Sequence, residues 1–218
     1  MKTTIAVIGA AGRMGSGIAS KLAEAGYRVL LAGKDQSKLA DLSIRIREKF
    51  SGADIDTLDC SKEASWEADI IILAVPYSKE IEIAEKIKDV VTGKIVVSIS
   101  NPLNQALDGL TTNPSTSAAE ELANYLPYSK VVKAFNTVFA GSFYKNILAG
   151  KKIDSFVASD DKEAVSIVSN LVKDTGLNPL PAGNLSVSRT LENMALLLIR
   201  LSINNNYNGM AGWKVLHP

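Results

Sequence analysis

Three glycines in the opening stretch "TTIAVIGAAGRMGSGIASKLAEAG" stand three apart: Gly9, Gly12 and Gly15. After a strand, the first glycine allows a tight turn. The second lets backbone approach a pyrophosphate, and the third lets the following helix sit close to the strand. The free N–H groups at such a helix start carry roughly half a positive charge and suit phosphate oxygens. The spacing is one residue longer than the commonest dinucleotide fingerprint, so the glycines alone could also be an ordinary strand-to-helix turn. Their place between a strand-like and a helix-like run favours a dinucleotide.

The end of the second strand bears on which dinucleotide. An NAD site places a carboxylate there, on the ribose 2′-OH, about 20 residues after the glycines. This chain has Gly33, in "LLAGKDQSK", followed by Lys34 and, one helical turn on, Lys38. An open position flanked by ammonium groups suits a 2′-phosphate, with Arg13 a further phosphate contact. Asp35 adds an opposing charge nearby. The expectation is NADP, the alternative for both lysines being a solvated helix face.

Other chemistry is missing. No tyrosine is followed by a lysine four residues on, the only histidine is His217, and no Gly-x-Ser-x-Gly elbow occurs. No Cys/His cluster offers a metal site. Cys60 reads as a small buried hydrophobe and His217 as a solvated tail residue. No catalytic acid or base is therefore expected. Hydride transfer between a nicotinamide and a flavin-like ring needs alignment more than an acid or base. A non-catalytic nucleotide-binding sensor or regulatory module would share that lack.

The elements that must hold these residues alternate strand and helix. "TIAVIG", "YRVLLAG", "ADIDTLD", "ADIIILAVP" and "GKIVVSIS" read as strands, and Asp35 to Phe50 and "SKEIEIAEKIKDVV" as helices. After an aperiodic loop from Asn101 come a helix "SAAEELANYL", a strand "KVVKAF", a short helix Ala140 to Gly150, a strand "DSFVAS" and a helix Lys162 to Thr175. A short strand "NPLPAG" and a long helix from Ser186 to Asn204 follow. This is an α/β pattern: a Rossmann-type, doubly wound, mainly parallel sheet with a C-terminal strand and helix extension. No linker divides it. Residues 1–218 read as one domain, with the nucleotide site in roughly 1–100 and a second-cofactor cleft formed with 100–218. The last helix carries an apolar stripe (Leu191, Ala195, Leu198, Ser202) read as core or a dimer face rather than a cofactor wall.

Composition narrows the class. The chain has 218 residues, a formal net charge of +1 and one cysteine. That is enough for one sizeable core. Near-neutrality gives no reason to expect nucleic acid or a membrane surface. The single cysteine suits a reducing cytoplasm, and the start reads as a strand rather than a signal peptide. The longest late apolar run, "MALLLI", is too short to span a bilayer.

Several stretches in order resemble the F420-dependent NADP oxidoreductases, along nearly the whole chain: "GAAGRMGSGIASKLAEAG", "SAAEELANYLPYSKVVKAFNT", "PLPAGNLSVSRTLENM" and "NNYNGMAGWKVL". The resemblance implies NADP on Gly9, Ala10, Gly12, Arg13, Met14, Ala74, Val75 and Pro76, to which the residue reading adds Gly33, Lys34 and Lys38. It implies a deazaflavin, F420, or a flavin in a cleft with Ser100, Asn101, Pro102, Asn136, Thr137, Asn208 and Met210. Asn136 and Thr137 are expected to bond the ring's carbonyl edge. A homodimer is also implied. Two stretches depart from the family pattern: Gly33-Lys34-Asp35 stands where serine and arginines are usual, and Asn136-Thr137 where His-Thr is. "FNT" also resembles the cytoplasmic oxidoreductase domain of six-transmembrane metalloreductases, which pass electrons from NADPH to flavin. The glycine loop by itself is similar to that of dihydrodipicolinate reductase, but the histidine-rich stretch of that family is missing.

Overall fold

The computed structural model describes residues 2–217. In chain order the strands are β1 (Thr4–Ile8), β2 (Arg28–Ala32), β3 (Ile55–Leu58), β4 (Ile70–Leu73), β5 (Ile95–Ser98), β6 (Lys130–Lys133), β7 (Ile147–Leu148), β8 (Lys151–Lys152), β9 (Asp154–Ala158) and β10 (Asn178–Gly183). The helices are α1 (Arg13–Glu24), α2 (Gln36–Lys49), α3 (Ser61–Glu67), α4 (Tyr77–Ile87), α5 (Ala118–Tyr125), α6 (Lys162–Asp174) and α7 (Ser188–Asn204).

Eight strands form one sheet in the order β10-β9-β6-β5-β4-β1-β2-β3. Pairings from β3 across to β6 are parallel. β9 meets β6 antiparallel, through Lys133 and Ala158, and β10 runs parallel to β9. The doubly wound, mainly parallel sheet read from the sequence is therefore present, its extension reversed in direction. The central strands are buried on both faces, as parallel strands covered by helices must be. Ile5 and Val7 join a core with Ile18, Leu22 and Leu39 on one face. Ala6 and Ile8 join Ala64, Ala84 and Leu122 on the other. The order reverses between β1 and β4, where open α/β sheets hold ligands beyond their strand ends.

Local chemistry sets the helix starts. Asp35, Ser117 and Asp161 cap α2, α5 and α6, each side chain accepting from a backbone N–H three residues on. β10 tolerates two prolines because it is an edge strand, with a register shift between Pro181 and Gly183.

Four sequence expectations are corrected. Ala140 to Gly150 is not a helix: a 3-10 turn (Ala140–Phe143) leads into the β7–β8 hairpin. Ala149 and Gly150 both take positive φ, 48° and 74°, which a two-residue primed turn requires. The strand at "KVVKAF" stops at Lys133, because Phe135 takes a positive φ of 60° and turns the chain away. α3 is an addition to the elements expected from the sequence, its seven residues being too few for periodicity to show. Cys60 is exposed just before that helix rather than buried. His217 is exposed, as expected. No helix among the described residues is long and apolar enough to cross a membrane.

Candidate functional site

The glycine loop lies at the β1/β4 switch. Gly9 has φ of 87°, and a Cβ there would come within 2.4 Å of the Ala74 carbonyl oxygen. The loops carrying Gly9 and Ala74–Pro76 are thus in backbone contact. A Cβ on Gly15 would meet Gly9 O at 2.4 Å, so α1 sits directly on the turn. Gly12 differs: its Cβ would stand 3.2 Å from Gly9 O, a tight but adjustable contact. Gly12 begins α1 with no side-chain cap and no acid in the first turn. The first N–H groups of α1 therefore keep their capacity for an anion. Ala10 is buried beside them.

At the end of β2, Gly33 has no packing need for glycine: a Cβ would sit 3.8 Å from the Leu39 methyls, in ordinary contact. Its bareness leaves space outside the protein. Lys34 is extended into solvent, 3.9 Å from Glu82. Lys38 is drawn onto Asp35 at 2.9 Å, and Asp35 also accepts from Ser37 Oγ and Lys38 N. The bonds from Lys38 and Ser37 hold the Asp35 carboxyl far below the usual carboxylate range. Asp35 is spent on capping its own helix, which mutes the opposing charge.

A cavity of about 590 Å³ opens beside the glycine loop. Arg13 and Met14 form one side. Asn101, Asn136, Thr137 and the loop to Gly141 form another, and Ala195, Leu198, Ile199 and Ser202 of α7 a third. Asn208, Gly209 and Met210 close it. Five of the seven residues expected at a second cofactor thus meet in one place. Ser100 and Pro102 do not line it: Ser100 Oγ donates to buried Glu80 at 2.8 Å, and the Pro102 carbonyl accepts from Thr111. The α7 stripe read as core or a dimer face is partly this cavity's wall. Helical spacing cannot tell a wall from a core, since both bury the same stripe.

Asn136 also departs from its expected role. Its amide nitrogen donates to Asn101 Oδ1 at 2.9 Å and to Leu191 O at 3.0 Å. Leu191 O can only accept, which fixes the amide's orientation. Both N–H groups are consumed, so Asn136 cannot donate to a ring carbonyl. Asn101 returns a bond to Asn136 O at 3.0 Å. Asn136 Oδ1 and Thr137 Oγ1 remain buried without a partner among the described residues. Such orphaned oxygens cost free energy unless something satisfies them, and both residues line the cavity.

Over 213 residues the chain is 32% identical to the F420-dependent NADP reductase of Methanocaldococcus jannaschii, covering 94% of this chain and 95% of that one. The chain belongs to the F420-dependent NADP reductase family. The family described as "NADP oxidoreductase coenzyme F420-dependent" matches residues 4–102. A solved structure from Arthrobacter sp. FB24, described as a candidate F420-dependent NADP-reductase, superposes with a TM-score of 0.82 over 98% of this chain and 99% of that one. At 23% identity it shows the shared fold. The rat metalloreductase STEAP3 is 27% identical over 86% of this chain, but only 36% of that protein is covered.

Beneath the cavity this family member buries a charged cluster that sequence reading missed. Lys133 and Glu192 are both wholly buried and 2.6 Å apart. Burial raises the carboxyl of neighbouring Glu80, with Lys133 acting against that rise. Lys133 sits in a strand pattern and Glu192 in a helix pattern 59 residues away, so only the fold shows that they meet. Away from the cavity lining, Asp154 anchors the C-terminal segment by accepting from Lys214 Nζ and Val215 N. Burial opposes its charge, but Lys214, Val215 N–H and Asn178 outweigh that and keep the carboxyl low.

Proposed function

We propose that this chain transfers a hydride between NADP(H) and coenzyme F420. The nucleotide lies along Gly9, Gly12 and Arg13, with its 2′-phosphate at Gly33 and Lys34, and the deazaflavin occupies the 590 Å³ cavity. One observation carries this reading. The cavity joins the glycine loop to Asn101, Asn136 and Met210, and Arg13 is the sole ionisable side chain among the described residues that line it. With both cofactors bound, the two rings supply the redox chemistry and the protein supplies distance and orientation. Met14 and the α7 side chains exclude water from the rings. The uncapped start of α1 holds the pyrophosphate, and Ala74 to Pro76 border the nicotinamide end.

The reading extends to a homodimer associating through exposed Leu197 and Leu201 of α7, and to a reducing cytoplasm, on the single cysteine. Anaerobic mixing with NADPH and F420, or separately FMN, FAD or riboflavin, tests it by the loss of NADPH absorbance. Rapid reduction of F420 is expected. Reduction of a flavin in preference would move the assignment to a flavin reductase. Binding of NADPH with no acceptor reduced would favour the sensor.

A further inference from the structure

The Lys133 ammonium ties together three segments that are distant in sequence. Nζ donates to Glu192 Oε1 at 2.6 Å and to Ser100 O at 2.6 Å. Glu192 Oε2 accepts from Ala118 N, at the first residue of α5. Each end of this tie adjoins the cavity floor. Ser100 precedes Asn101. Glu192 follows Leu191, whose carbonyl holds Asn136. Lys133 itself lies three residues before Asn136.

Stability gives little reason for such a pair. Removing two charges from water costs several kcal/mol, and a well-packed neutral pair of similar volume often serves as well or better. What a neutral pair cannot do is hold the Ser100 carbonyl with a charge-assisted donor. We infer that Lys133 is a positioning residue for hydride transfer: its ammonium fixes the Ser100–Asn101 turn against α7 and so sets the floor on which the second ring lies. It touches neither ligand. This inference rests on the hydride-transfer reading above.

The test is the double variant Lys133→Met/Glu192→Gln. Lys133→Met alone leaves a buried carboxylate unpaired and is expected to unfold easily. The double variant removes both charges, and the amide oxygen introduced by Glu192→Gln can still accept from Ala118 N. It should fold and keep its KM for NADPH within about twofold, while kcat to F420 falls at least about tenfold, the pattern of a lost transition-state geometry. A folded double variant with wild-type kcat overturns the inference, whereas wild-type protein that reduces no acceptor overturns the underlying reading instead. Amide hydrogen exchange needs no acceptor. Residues 99–103 and 134–139 should exchange faster in the double variant while β1 and β4 are unchanged, and equal rates in those loops would also overturn it.

Discussion

The two ends of the site are built differently. The end proposed to hold the nucleotide is one continuous passage, β1 to α1, completed by the neighbouring Ala74 loop. The cavity end is assembled from the glycine loop, the loops after β5 and β6, α7 and the C-terminal segment. In the first, backbone shape does the work, and each glycine has a separate reason to lack a side chain. In the second, side chains hold one another: Asn101 and Asn136 exchange bonds, and Lys133 and Glu192 stand behind them. A continuous site depends on sterics within a few residues, whereas an assembled one depends on contacts between distant segments.

The sharpest break of that contrast is Gly15→Ala. Its Cβ would stand 2.4 Å from Gly9 O, a backbone atom that cannot swing aside. A loss of about 3 kcal/mol in unfolding free energy is expected, since overpacking at a rigid contact costs about 1–3 kcal/mol and occasionally more. Denaturant titration measures it. Wild-type stability would mean that α1 can slide on its turn.

On the assembled side, Asn136→Leu removes both donors that hold Asn101 Oδ1 and Leu191 O. Leaving these acceptors unpaired should cost about 2 kcal/mol of stability and sharply lower kcat to F420. NADPH affinity should stay near wild type, because the nucleotide passage does not depend on this exchange. Calorimetric NADPH titration beside steady-state turnover checks both halves. Loss of NADPH binding would show that the two ends are not separable.

Gly12→Ala sharpens the comparison from the nucleotide side. The added methyl meets Gly9 O at 3.2 Å, which a small shift can absorb, so the fold should survive. The same methyl stands where backbone would approach the pyrophosphate. At least tenfold weaker NADPH binding is expected, about 1.4 kcal/mol. Unchanged affinity in the folded variant would remove the pyrophosphate from this loop.

The same contrast explains what the sequence could tell. The alternation of strands and helices, the glycine turn and the helix start at Asp35 follow from local patterns, and they are legible. So are Asn101, Asn136 and Met210 as members of one site, through several motifs in order. Their roles are not legible. Whether Asn136 gives its N–H groups to a ring or to Leu191 depends on where α7 lies, and Leu191 is 55 residues away. Ser100 looks like its neighbour Asn101 in sequence, yet Glu80 and Lys133 claim it. The α7 stripe shows that burial is required without showing what provides it.

The smallest effect belongs at the end of β2, where two lysines look equivalent in sequence and differ in structure. Lys38 is paired with Asp35 at 2.9 Å. Lys34 approaches Glu82 only to 3.9 Å, and Glu82 is already held at 3.0 Å by both Lys86 and Lys79, which take its carboxyl down to about 2. Lys34 is therefore the cation with least competition for a 2′-phosphate beside Gly33. Lys34→Ala should reduce the preference for NADPH over NADH by about fivefold, within the range of an exposed charge pair, and less so at high salt. Lys38→Ala should act indirectly, by uncovering Asp35, whose charge repels the phosphate. Adding Asp35→Asn, which keeps an oxygen to cap α2, should then restore the preference. Fluorescence titration with both nucleotides at two salt concentrations decides the matter. If Lys34→Ala leaves the ratio unchanged, the phosphate is read elsewhere. If Asp35→Asn fails to correct Lys38→Ala, then Lys38 contacts the phosphate itself and the two lysines are equivalent after all.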